Sequence, residues 1–474
     1  MTLPAKFVER VLRDLGGTEG AALCAALDAE PPVSVRLNPA KTGAETVSAG
    51  PDAGLPVPEA AGLPALAIAG RVPWSRDGRY LAVRPSFTLD PDFHAGAYYV
   101  QEASSQFVGH LLAAVRTEGA RILDLCAAPG GKTTLYASLA GPDGLVVANE
   151  IDRRRASVLA DNVRKWGTGN VAVTTCEPRA LGDFEAWFDV VAVDAPCSGE
   201  GMFRKDPDAR GEWSEGNVKQ CAARQDEILR EAWRALRPGG TLVYSTCTFN
   251  RDEDEGALER MAAWAGDEIA ESEETAVEDA WGIVCGRVGA FRTFRFYPHR
   301  TCGEGFFAAV ARKSFDAGGR VRAPKARRTV FAAVDRKTAG ELARWVRNPG
   351  GMRFAAVADT CYAWYAAQAD AVRTLSEALP VIYSGVALGQ VFKGVLKPDP
   401  ALAFFDGLNR GALPAAELDD EETLRFLRRQ DIAAGGLAEG MNLVCSRGRA
   451  LGFAKRIGAR VNNLYPISLR IIKQ

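Results

Sequence analysis

Three histidines, His94, His110 and His299, are too few for an imidazole-rich metal centre, and none of the ten cysteines pairs with another as CxxC. No Cys/His cluster with zinc-like spacing is left, so no metal is expected. Long apolar runs are missing as well, and nothing approaches the roughly 20 residues needed to span a bilayer. The stretch from Met1 to Gly17 interleaves Lys6, Glu9, Arg10, Arg13 and Asp14 with apolar residues. It reads as an amphipathic helix and lacks the apolar centre of a signal peptide. Charge of one sign is also scarce: the formal net charge is -1, so any nucleic-acid surface has to be local. A cytoplasmic chain with free thiols and no membrane partner follows as the expectation.

With 474 residues, 47% of them hydrophobic, the chain can bury a large core and is expected to form several domains. Residues 1–115 open with helical patterns and continue through a Pro/Gly/Ala-rich segment, Pro51 to Gly70, of loop and short strands. There Ser34 to Asn38 alternates like a strand, and Tyr98 to Glu102 leads into a helix carrying Phe107, Leu111 and Leu112. These aromatics read as core more readily than as a base-stacking platform. Residues 116–313 then alternate strand and helix: Ile122 to Cys126, Leu145 to Ala148, Val171 to Val173, Phe188 to Val193 and Thr241 to Tyr244 are strands. Such a pattern predicts an α/β fold with a mostly parallel, doubly wound sheet. A helix over Val218 to Leu236 is expected to stop at Arg237-Pro238-Gly239-Gly240. The acidic run beginning Asp252-Glu253-Asp254-Glu255 reads as a solvated face. Residues 314–329 form a basic linker. Residues 330–474 read as a small mixed or β-rich module ending in a basic stripe (Arg447, Arg449, Lys455, Arg456, Arg460, Arg470, Lys473) beside Phe453 and Tyr465.

Two stretches carry chemistry. The first is Asp124-Leu125-Cys126-Ala127-Ala128-Pro129-Gly130-Gly131-Lys132-Thr133. A glycine pair between strand and helix lets backbone approach a ligand and aims the helix N-terminus at it. A P-loop is excluded because Cys126 stands where its first glycine belongs, and no G-x-G-x-x-G is present. A small adenosine-type ligand remains, and Glu150, at the end of the next strand, is placed to accept ribose hydroxyls. A plain helix-packing turn is the alternative. The second is Asp194-Ala195-Pro196-Cys197-Ser198-Gly199 with Ser245-Thr246-Cys247. Each follows a buried strand, so two cysteines sit at carboxyl strand ends, where open α/β sheets bind ligands. One strand cysteine is usually a packing residue; two at such ends suit nucleophilic chemistry. A thiolate added to C6 of cytosine makes C5 able to take a methyl group, with Asp194 placed to hold the ring.

These motifs resemble motifs I, IV and VI of the S-adenosylmethionine-dependent RNA cytosine-C5 methyltransferases, the Nol/Nop/Sun family. Tyr98 to Ser105, Gly201 to Pro207, Arg295 to His299 and Gly303 to Phe307 further resemble its bacterial small-subunit ribosomal RNA methyltransferase F branch. The resemblance covers about residues 30–313, and more loosely the C-terminal region, where Leu451 to Lys455 and Leu464 to Pro466 are similar to a PUA-like RNA-binding module. It implies a Rossmann-like methyltransferase domain (116–313), an N-terminal α+β domain (1–115) and a C-terminal α/β and PUA-like region (330–474). It also implies S-adenosyl-L-methionine as cofactor, ribosomal RNA or the small subunit as partner, and a monomer. Carried over, Cys247 is the nucleophile, Cys197 aids release and Asp194 holds the base. Cys126, Ala127, Ala128, Pro129, Gly130, Gly131, Lys132, Glu150, Glu177 and Asp194 bind the cofactor. Glu177 departs from the family's usual aspartate and Asn462-Asn463 from its usual Lys-Asn. Competing readings make Cys197 the nucleophile, transfer RNA the substrate, or the chain a non-catalytic assembly factor.

Overall fold

The structure is a computed structural model that describes residues 2–43 and 63–472. The Pro/Gly/Ala-rich segment before residue 63 therefore lies outside the described residues, as does Lys473. After helices Ala5–Leu15 and Gly17–Leu27, strands β1 (Val33–Leu37), β2 (Ile68–Arg71), β3 (Gly78–Leu81) and β4 (Tyr98–Tyr99) form a sheet of order β2-β3-β1-β4.

The centre is a ten-stranded sheet. Its parallel part comprises β5 (Arg121–Asp124), β6 (Leu145–Asn149), β7 (Val171–Thr174), β8 (Phe188–Asp194) and β9 (Leu236–Thr246). These strands are Val/Ala/Leu-rich and buried because helices cover both faces of a parallel sheet. Antiparallel strands extend it beyond β9: β10 (Ile269–Ala270), β11 (Val284–Val288), β12 (Phe291–Phe296) and β13 (Phe306–Lys313). The order runs β11-β12-β13-β9-β8-β5-β6-β7-β17, where β17 is Val381–Ser384. The winding reverses around β5, so the crevice opens at the carboxyl ends of β5 and its neighbours. The long helix stops just before Arg237-Pro238-Gly239-Gly240, as expected, but these residues already lie within β9. The helix ends at Ala235, and the four residues are an irregularity within β9, whose Leu236 already pairs with Phe188 before the ladder resumes at Thr241 with Val190. Gly239 takes φ 73°, which lets the chain re-enter the sheet.

The C-terminal region is not one small module. Strands β14 (Ala332–Ala333), β15 (Met352–Val357), β16 (Thr360–Tyr365), β18 (Val386–Phe392) and β19 (Val395–Pro398) form one sheet. Strands β20 (Ala415–Glu417), β21 (Gly440–Ser446), β22 (Arg449–Ile457) and β23 (Arg460–Asn463) form another. Between them β17 (Val381–Ser384) leaves to pair antiparallel with β7 in the central sheet. Val372, Leu375 and Leu379 pack into the central core, at roughly 1.5–3 kcal/mol per fully buried aliphatic side chain. The basic linker is a packed strap: the Arg327 amide donates to the Glu377 carbonyl at 2.9 Å and the Arg328 guanidinium to the Leu379 carbonyl at 2.7 Å.

Candidate active site

The loop after β5 runs straight into helix Gly131–Ala140. Gly130 adopts φ 109°, and a Cβ there would sit 3.0 Å from Leu159 Cδ1, so only glycine fits. A Cβ on Gly131 would meet Tyr99 Cε1 at 3.2 Å. At the strand end Asp124 is buried: Oδ2 accepts from Thr133 Oγ1 at 2.6 Å, while Oδ1 has no partner. Burial pushes its carboxyl up to about 7. A buried, unsatisfied acceptor at the foot of a glycine loop that opens a helix suits a cationic ligand. Glu150, at the end of β6, accepts the Asp152 amide at 3.0 Å and pairs with Arg155 at 3.3 Å. Arg155 also donates to the Ala128 carbonyl at 3.0 Å, so Glu150 is tied to the loop it faces. The carboxylates of Asp124 and Glu150 beside the glycine loop fit a cationic, adenosine-bearing cofactor such as S-adenosylmethionine. Glu177 lies exposed after β7, at the start of helix Pro178–Gly182, away from the contacts joining the others.

The loops after β8 and β9 bring the cysteines together. Asp194 and Ser245 are register partners, and Ser245 Oγ donates to Asp194 Oδ1 at 2.8 Å. Lys132 Nζ reaches Asp194 Oδ2 at 2.9 Å. Cys197 Sγ stands 3.3 Å from Cys247 Sγ and accepts the Cys247 amide at 3.4 Å. The hydrogen bond with Cys247, then burial, holds the Cys197 thiol well above its ordinary value. The two sulfurs are within hydrogen-bond distance, and either can donate to the other. Burial opposes the charge on Lys132, but Asp194 and Cys247 outweigh it and raise the ammonium's pKa. The sulfur of Cys247 thus lies beside a second thiol and in the field of the Lys132 ammonium. Cys126 is pushed far up by burial and by Asp124, which leaves it a protonated wall of the site.

Most of the acidic run is exposed, as expected, with Asp252, Asp267, Glu268, Glu271, Glu273 and Glu274 at the surface, but two of its acids are not. Glu253 and Asp254 are fully buried. Glu253 Oε2 accepts the Ser198 amide at 2.9 Å and Gln225 Nε2 at 3.0 Å, and Oε1 accepts Asn250 Nδ2 at 2.7 Å. Asp254 accepts Thr246 Oγ1 at 2.5 Å and pairs with Arg295 at 3.0 Å. Both carboxylates brace the cysteine loops. Glu200, also fully buried, accepts the Phe249 amide at 3.0 Å and Trp213 Nε1 at 2.9 Å, and pairs with Arg10 of the first helix. Arg36 of β1 donates to the Gly131 carbonyl at 3.0 Å and to Thr134 Oγ1 at 2.6 Å, pinning the glycine loop. The sequence signals were faint: an inward-facing arginine in an alternating strand, and acids directly after a cysteine strand.

The C-terminal basic stripe is largely engaged in folding. Arg447 pairs with Asp92 at 3.0 Å and Asp420 at 3.0 Å, and Arg449 with Asp92 at 2.8 Å. Arg456 donates to the Leu437 carbonyl at 2.6 Å. Phe453 and Tyr465 are buried and offer no stacking face. Asn463 caps the Phe426 carbonyl at 2.9 Å, a structural duty that suits asparagine there. Lys455, Arg460 and Arg470 remain exposed. Among the described residues no cluster of His, Cys, Asp and Glu is arranged to hold a metal, and no helix is long and apolar enough to cross a membrane.

A parallel sheet with a glycine loop after its first strand, an acid after its second and a paired thiol crevice defines an S-adenosylmethionine-dependent methyltransferase of Rossmann-like fold. Three family models match: 16S rRNA methyltransferase RsmB/F over residues 111–312, the N-terminal domain of 16S rRNA methyltransferase RsmF over 3–103, and the methyltransferase RsmF PUA domain over 414–471. The chain belongs to the ribosomal RNA small subunit methyltransferase F family. Its relative of that name from Shewanella loihica is 32% identical over 418 residues, covering 84% of this chain and 83% of the relative. Among solved structures, the one titled PH0851 is 26% identical with a TM-score of 0.56, covering 66% of both chains. The structure of NSun6 from Pyrococcus horikoshii with SFG shares the fold at 22% identity and a TM-score of 0.52, covering 66% of this chain and 98% of that one.

Proposed function

We propose that the chain forms 5-methylcytosine in small-subunit ribosomal RNA, with Cys247 as the nucleophile. The observation that carries this reading is the thiol pair, 3.3 Å apart at two strand ends, with the Cys197 thiol held protonated and Lys132 supplying positive charge. The target cytosine leaves its stack and enters the crevice, because its C6 is out of reach inside a helix. Asp194, held by Ser245 and Lys132, faces the crevice to hydrogen-bond the pyrimidine amine. The Cys247 thiolate adds to C6, and the electron pair of the C5–C6 bond moves to C5. The cofactor supplies an electrophilic methyl group on a sulfonium, received by C5. Once Cys247 is bonded to carbon, the effect that kept Cys197 protonated is gone. Cys197 loses its proton to solvent, takes the C5 proton, and the C6–S bond breaks to restore the ring and the Cys247 thiolate. Cys126 to Lys132 and Glu150 hold the cofactor in this scheme, Asp194 borders it, and Glu177 is the assignment with least structural support.

Bisulfite sequencing of ribosomal RNA from a deletion strain tests this, with complementation by wild type or Cys247→Ala. Small-subunit cytosines that lose protection in the deletion and in the mutant, and regain it with wild type, are expected. Unchanged small-subunit RNA would overturn the substrate, and a Cys247→Ala protein that still methylates would overturn the nucleophile.

A further inference from the structure

Beside the glycine loop, with Pro129 in its wall and no cysteine in its lining, lies a cavity of about 490 Å³, large enough for a ligand of nucleotide size. Its wall on the catalytic side is Pro129, whose carbonyl accepts from Tyr99 Oη at 3.2 Å and Asn162 Nδ2 at 2.8 Å. Its other walls are aromatic: Phe87, Phe93, Tyr98, Tyr99 and Trp166. Two cations edge it. Lys165 Nζ stands 4.0 Å over the Phe93 ring, and the Arg84 guanidinium 5.4 Å over Phe87. Among the described residues Lys165 Nζ has no hydrogen-bond or ion-pair partner. Its nearest acid, Asp161, is paired with Arg164 at 2.6 Å. Burial lowers the Lys165 ammonium to about 8, so an incoming anion would relieve a desolvated charge.

Aromatic faces beside uncompensated cations recognise a base with its phosphate. We propose that this cavity receives one unstacked nucleotide of the RNA substrate, its base against Tyr99 and Phe87 and its phosphate between Lys165 and Arg84. The inference rests on the chain being an RNA methyltransferase and adds a second grip on the strand. Because Pro129 is shared, the gripped nucleotide abuts the loop that holds the cofactor, and RNA engagement is reported directly to that loop.

The test uses the full chain and two variants outside the cofactor contacts, Lys165→Gln and the cavity-filling Ser86→Trp. A fluorescent single-stranded ribosomal RNA fragment that wild type methylates serves as ligand, titrated at several salt concentrations. Ser86→Trp is expected to weaken RNA binding about tenfold or more, since one stacked base is worth roughly 1–3 kcal/mol. Lys165→Gln is expected to weaken it and to flatten the slope of log affinity against log salt by about 0.7, the signature of one lost single-strand phosphate contact. Cofactor affinity should stay within about twofold in both, as Ser86 and Lys165 lie outside the loop's hydrogen bonds. Unchanged RNA affinity and slope in both variants, while wild type still methylates, would overturn the cavity's role alone. A wild-type chain that neither binds nor methylates the fragment would overturn the underlying reading. Adenosine monophosphate binding alone at low micromolar concentration, abolished by Ser86→Trp, would overturn the RNA assignment in favour of a free nucleotide.

Discussion

Replacing Asp124 by asparagine should make the cofactor-free protein more stable and useless at once. Asp124 is 1% exposed, with one oxygen satisfied by Thr133 and the other by nothing. Its carboxyl is raised from an ordinary 3.8 to about 7, so the folded state holds a proton that the unfolded chain has already released. Folding stability therefore falls as pH rises from about 4 to 7, and above 7 the full penalty applies, roughly 4 kcal/mol. At pH 5 less than half of it has developed. Asparagine keeps an acceptor for Thr133 and carries no charge, so the penalty disappears. At about 2–4 °C per kcal/mol for a domain of this size, Asp124→Asn should melt several degrees above wild type at pH 8 and much closer to it at pH 5. Saturating S-adenosylmethionine should then raise the wild-type melting temperature and leave the variant's unmoved, because the cationic end of the cofactor is what makes an ionised Asp124 worth keeping. Wild-type cofactor affinity should correspondingly be about tenfold weaker at pH 6 than at pH 8. A variant that melts below wild type at pH 8, or that binds cofactor as wild type does, would refute the reasoning.

Denaturing gels with labelled RNA should separate the two cysteines: Cys197→Ala is expected to accumulate a covalent RNA adduct through Cys247, and Cys247→Ala to form none. An adduct in Cys247→Ala would reverse the roles. Glu253→Gln sets an amide against the buried donors on Ser198, Gln225 and Asn250, at about 1–3 kcal/mol for a lost partner. Single-turnover methylation should slow at least about tenfold through displacement of the Cys197 loop, with cofactor affinity kept; a normal rate would mean that the brace is dispensable. Truncation after residue 329 should give an insoluble or cofactor-incompetent chain, since it removes β17 and the helix Ala369–Ala378 from the central sheet. A soluble truncated protein with wild-type cofactor affinity would contradict that.

The parallel strands were legible because Val- and Ala-rich runs bounded by turns have few other uses, and the strand-end cysteines followed from where those runs stop. The braces were not. Glu253 and Asp254 sit among other acids, and a local charge pattern cannot distinguish a solvated run from two carboxylates that meet amide donors and an arginine from elsewhere in the chain. Arg36 and Arg10 act at sequence separations of 98 and 190 residues, so no local window contains their partners. β17 escaped for the same reason: Val381-Ile382-Tyr383-Ser384 reads as a strand, but nothing local says which sheet it joins. The helix does stop just before Arg237-Pro238-Gly239-Gly240, but the early start of β9 was not legible, because Pro and Gly mark an irregularity inside a strand as well as the end of a helix.

The long-range arginines share a pattern. Arg10 from the first helix holds Glu200, Arg36 from β1 holds the glycine loop, and Arg447 and Arg449 from the C-terminal sheet hold Asp92. Each anchors an added element to a buried acid or to loop carbonyls, so these cations have little left to offer RNA. Charge available for phosphate includes Lys165 and Arg84 at the aromatic cavity and exposed Lys455, Arg460 and Arg470, none of which is in an ion pair among the described residues. A chain with a net charge of -1 can hold an anionic substrate where unpaired cations stand together, since the local field and not the net charge acts on the ligand. It follows that RNA affinity should respond more to Lys165 or Lys455 than to Arg447 or Arg449, whose loss should appear first as instability of the junction between the terminal domains.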